Sequence, residues 1–67
     1  MNPEWERIAL QIQAVVGPYD DSVRDDVWAR AAYRLRARTL LDDLDVAARL
    51  FPDLQDRLSA ARAELNL

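Results

Sequence analysis

Cysteine, histidine and lysine are absent from this chain, and glycine occurs once. No disulfide can form without cysteine. With neither thiolate nor imidazole, the usual ligands of zinc are missing too. Nucleophilic catalysis has little to draw on. Ser22 and Ser59 have no histidine base to activate them, and there is no thiol. A lone Gly17 does not make a glycine-rich phosphate loop. These absences lead us to expect a protein that is not an enzyme and that holds no metal or cofactor. No apolar run approaches the roughly 20 residues that span a bilayer. The opening "MNPEWERIAL" carries acids where a signal peptide carries bases, so a cytoplasmic protein is expected.

What remains is a chain of 67 residues, 51% apolar, with a formal net charge of −3. That length allows a single domain over 1–67. A domain of this size buries only about 60% of the surface its unfolded chain exposes, so its stability is marginal. With disulfides and zinc excluded, regular helix packing and self-association are the means left to stabilise it. Every basic side chain is arginine. Lysine codons are AT-rich, so this usage points to a high-GC bacterial or phage genome rather than to a function.

The pattern is helical throughout. Asn2 and Pro3 supply an N-cap and a proline at the first helical position. Trp5, Ile8, Ile12 and Val15 follow at helical spacing. Gly17 and Pro18 end this helix, with glycine suited to a left-handed cap. Asp20, Asp21 and Ser22 can each start the next one. No glycine or proline then interrupts the chain before Pro52. Asp53 can cap a last helix, whose apolar face runs through Leu54, Leu58, Ala61 and Leu65. The expectation is an all-α protein: a short helix over 3–16, a long central helix over 22–50 and a short helix over 54–65.

The central helix has two apolar stripes. The early one comprises Val23, Val27, Ala31 and Leu35, with Trp28 at its margin. The later one comprises Tyr33, Ala37, Leu40, Leu44, Ala48 and Phe51. They lie roughly 120–180° apart around the helix. One explanation is a break near Thr39, where "TLLD" resembles a capping box. The other is that the first helix folds back along the N-terminal half and the last along the C-terminal half. That arrangement puts Trp5 beside the N-terminal half, near Trp28. It also hides little surface, so a second copy is expected to complete the core as a homodimer. Leu40, Leu44 and Phe51, or else Val27 and Leu35, would be shared.

The stretch "VRDDVWARAAYRLRART", residues 23 to 39, concentrates arginine in an acidic chain. Part of the pattern suits a helix. Acids come first, where the dipole favours them, and Asp20–Arg24 and Asp26–Arg30 have ion-pair spacing. Arg30, Arg34 and Arg38 do not fit, being like charges four residues apart. They need a partner, from Glu4, Glu6, Asp42 or Asp43 of the same chain or from another protein. Trp28, Arg30, Tyr33, Arg34 and Arg38 are therefore the candidate partner-binding residues, of types enriched at interfaces. The acids of "DDLD", residues 42 to 45, read as a solvated face with Asp45 paired to Arg49. The expected function is a small interaction module, an accessory subunit or regulator that binds another protein. Two alternatives are a nucleic-acid-binding regulator using residues 24–38 and a structural assembly subunit. The sequence pI near 4.7 disfavours the nucleic-acid alternative.

Overall fold

A computed structural model describes residues 2–67. It holds four helices: α1 (Pro3–Val16), α2 (Asp21–Arg24), α3 (Val27–Ala47) and α4 (Pro52–Glu64). A turn of 3₁₀ helix, Ala48–Leu50, joins α3 to α4. There is no strand among the described residues.

The start of α1 follows the sequence reading, since the Asn2 side chain accepts a hydrogen bond from the Glu4 amide at 2.9 Å. Its end differs in detail. Gly17 is right-handed, at φ −55°, and Pro18 is what forbids continuation. The one residue with positive φ among those described is Asn66, at 63° beyond α4.

The long central helix breaks, but not at Thr39. Residues 37–41 are continuously helical, and the Thr39 hydroxyl donates back to the Leu35 carbonyl at 3.4 Å. The break lies at Asp25–Asp26. Asp26 is extended, at φ −100° and ψ 114°, and its carboxylate accepts from the amides of Trp28 and Ala29 at 3.0 and 3.1 Å. Asp20 caps α2 in the same way, through the Ser22 and Val23 amides. Aspartate competes with the helix for backbone N–H groups, so an Asp pair can restart a helix without glycine or proline. The expected ion pairs Asp20–Arg24 and Asp26–Arg30 do not form, because both carboxylates cap instead. At the other end Pro52 opens α4, and Phe51 precedes it with no side-chain cap. Asp53 does not cap that helix. Its carboxylate accepts from the Trp5 indole N–H at 2.6 Å.

These contacts fix the topology. Tyr33 reaches Val15 at the end of α1, and Trp5 reaches Asp53 at the start of α4. Arg34 reaches Asn66, and Arg62 reaches Asp42. Helices α1 and α4 therefore run parallel to each other and antiparallel to α3. The expected division of labour is overturned: both short helices pack against the same stretch of α3, from Tyr33 onward. The later stripe supplies α3's share of the core through Ala37 and Leu41, with Ala48 just beyond. Ile8, Ile12 and Val15 come from α1, Leu54, Leu58 and Ala61 from α4, and Tyr19 and Leu65 from the flanking turns. Alanines at three of these positions let the helices approach closely. Fully burying a leucine stabilises by roughly 1.5–3 kcal/mol, and Leu41, Leu54 and Leu65 are each 0% exposed.

Candidate functional site

The C-terminal ends of α1, α2 and α4 converge on the first half of α3. A helix end leaves carbonyls without intrahelical partners and carries partial negative charge. The arginine stretch meets these groups. Arg30 Nη1 donates to the Arg24 carbonyl, the end of α2, at 3.2 Å. Arg34 Nη2 donates to the Asn66 carbonyl, just beyond α4. The Tyr33 hydroxyl donates to the Val15 carbonyl near the end of α1. Arg24 Nη2 donates to the Tyr19 carbonyl at 3.3 Å, with its guanidinium 5.4 Å from the centre of the Tyr19 ring. Tyr19 packs on Tyr33 with ring centres 5.5 Å apart. Burial raises the Tyr33 phenol above its ordinary 10.0, and Arg36 partly opposes this.

Of the three like charges at spacing four, Arg30 and Arg34 are thus accommodated by backbone carbonyls rather than by carboxylates, and Arg38 stays exposed. The acids expected to answer them are otherwise placed. Glu4 pairs with Arg7 at 2.6 Å and Asp42 with Arg62 at 2.8 Å. The expected Asp45–Arg49 pair is not among the ion pairs of the described residues, and the Asp45 carbonyl instead accepts from Gln55 at 3.4 Å. Ser22 donates its hydroxyl to Asp20 at 2.6 Å, which holds that carboxyl below its ordinary 3.8. No group of three metal-ligating side chains occurs among the described residues.

The five candidate residues therefore separate. Arg30, Tyr33 and Arg34 turn inward, are half-buried and hold helix ends. Trp28 and Arg38 stay outside. Trp28 is 84% exposed and lies far from Trp5, with which it was expected to pack. Trp5 is half-buried at the opposite end, with the Arg57 guanidinium 4.9 Å from its ring centre.

The outer face of α3 carries most of the early stripe. Val27 is 63% exposed and Leu35 70%. Val46, further along, is 62% exposed. By helical projection Trp28, Leu35 and Val46 point roughly 180° away from Ala37. They belong to the series Trp28, Ala32, Leu35, Thr39, Asp42 and Val46, whose steps alternate four and three. That is the spacing of a coiled-coil seam. Arg36 and Asp43 flank one side of it, and Arg38 and Asp45 the other. On sequence alone Val27 and Leu35 of the early stripe are expected to be shared with a second copy, but the series is not extended to Val46 as a seam. The alternating steps were there to be read. A second apolar feature is a cleft of about 480 Å³ between α1 and α3, lined by Gln11, Ala14, Tyr33, Arg36 and Leu40 among others. No helix of the described residues is long and apolar enough to cross a membrane. In comparisons with known proteins, no family model, curated protein or solved structure matches this chain.

Proposed function

We propose that this chain is a small, non-enzymatic interaction module of the cytoplasm, an accessory or regulatory protein that binds another protein chain through the outer face of α3. One observation carries the reading. Trp28, 84% exposed, and Leu35, 70% exposed, stand on a helix whose opposite face already holds the core. Removing a tryptophan from water against a partner contributes a large share of many protein contacts, and apolar side chains gathered on one exposed face mark interaction surfaces where single scattered ones do not. The geometry suits a helix laid along α3, with apolar anchors at seam positions and charges on both flanks. The nucleic-acid alternative is less well supported. Arg24, Arg30 and Arg34 already donate to backbone carbonyls, which leaves Arg36 and Arg38 as the outward cations of the stretch.

The test is binding with and without the anchors. The protein carrying Trp28→Ala and Leu35→Ala keeps its far-ultraviolet spectrum and loses the protein partners that the unaltered chain captures. Equal capture by both proteins would refute the reading. Salt-sensitive binding to duplex DNA that Arg36→Gln with Arg38→Gln abolishes would put the nucleic-acid alternative in its place.

A further inference from the structure

The outer face of α3 carries its own complement. We infer that it pairs with the same face of a second copy, antiparallel, in a register that sets Leu35 against Val46 of the other chain. This rests on the reading of that face as the contact surface, and it names the occupant.

Charge and register select this pairing. Along α3 the outward arginines Arg36 and Arg38 come first and the acids Asp42, Asp43 and Asp45 follow. Two such helices running in opposite directions bring basic half against acidic half. In an antiparallel pair like flanks face each other, so Arg36 meets Asp43 of the second copy on one side and Arg38 meets Asp45 on the other. The two-fold axis repeats both pairs. The same register stacks Leu35 on Val46 twice and sets Thr39 beside Asp42 of the other chain, a carboxylate whose charge Arg62 of its own chain already answers. It also brings Trp28 toward Leu50 of the second copy, and both of these side chains are 84% exposed. A parallel pair fails on the same residues: it places Asp42 against its own symmetry mate at the centre of the seam, and Leu50 far from Trp28. Among the described residues α1 and α4 pack on the opposite side of α3, and only the Arg62 side chain reaches round to the seam, at Asp42.

Sedimentation equilibrium from low to high micromolar concentration tests the pairing. The expected mass rises toward twice 7.7 kDa. Arg36→Glu with Arg38→Glu, and separately Asp43→Arg with Asp45→Arg, are expected to remain monomeric with helical content unchanged. Mixing the two restores the dimer mass, because each altered flank then faces its opposite charge. Orientation is read from a nitroxide on Asp25→Cys, a unique label in a chain without cysteine. The antiparallel register places the two labels about 45 Å apart, and a parallel pair about 10–15 Å. A folded protein that stays monomeric throughout would overturn the self-pairing while leaving the contact face open to a different helix. A dimer indifferent to the charge reversals, or labels at the short distance, would overturn the register.

Discussion

The two tryptophans stand at opposite ends of α3 and are treated in opposite ways. Trp5 is held on all fronts: its indole N–H donates to Asp53 at 2.6 Å, Arg57 covers its ring, and its body packs against the core. Trp28 has none of these and is 84% exposed, although its own backbone amide is capped by Asp26. The contrast extends to the whole of α3. Its inner face supplies Ala37 and Leu41 to the core and Arg30, Tyr33 and Arg34 to the ends of the other three helices. Its outer face holds Val27, Trp28, Leu35 and Val46 with no partner among the described residues. The apolar pattern of one helix thus has two fates: one stripe makes the fold, and the other stays exposed on the single chain.

Substitution on the two faces should sharpen that division. Leu41→Ala, on the inner face, is expected to cost about 3 kcal/mol, enough to unfold much of so small a domain at ambient temperature. Leu35→Ala, on the outer face, should change the stability of the single chain by less than about 0.5 kcal/mol. Urea unfolding followed by circular dichroism checks both, and equal losses would erase the distinction. The tryptophans should follow suit. Trp5→Ala is expected to cost about 2 kcal/mol, since the residue is half-buried, whereas Trp28→Ala should leave the unfolding midpoint nearly unchanged.

A smaller effect falls where α3 holds the end of α1. Tyr33→Phe removes the hydroxyl that Val15 accepts from and should cost about 1 kcal/mol, lowering the melting temperature by about 5 °C. The phenol's raised folded value also sets a pH dependence. Its contribution is fully present below the ordinary 10.0 and is lost as pH rises through the folded value. Thermal unfolding at alkaline pH should therefore show a loss in the unaltered protein that is reduced in Tyr33→Phe. The mildest effect belongs to Asp20, whose carboxyl is held low chiefly by the Ser22 hydroxyl and the Val23 amide. Its contribution is present above the ordinary carboxylate value and disappears as pH falls through the lowered one. Protection of the Ser22 and Val23 amides from exchange, relative to the intrinsic rate at each pH, is expected to fall in that acid range before the rest of the chain responds.

Much of this organisation was legible in the sequence. The first and last helices, the continuous helix across Thr39 and the inner face of α3 follow from spacing and from Asn2, Pro18 and Pro52. The break at Asp26 has no glycine or proline to mark it, because aspartate acts by drawing amides to its side chain. The partners of Arg30 and Arg34 were sought among carboxylates, and they are backbone carbonyls. No sequence pattern marks such acceptors, since every residue carries one and only the tertiary arrangement gathers three helix ends in one place. The outer seam was legible as a period but not as a surface. Whether a stripe faces inward depends on where α1 and α4 lie, and both chose the same half of α3.

The division of α3 is tested most directly by quenching the fluorescence of Trp28 alone, in protein carrying Trp5→Phe, with acrylamide across a range of protein concentrations. The expected result is ready quenching in dilute solution, as an exposed indole requires, that falls as concentration rises and a second chain covers the face. Shielding of Trp28 in solutions dilute enough for sedimentation to show a single chain would place it in the core of that chain. Unchanged exposure at the highest concentration would mean that no second copy covers the face.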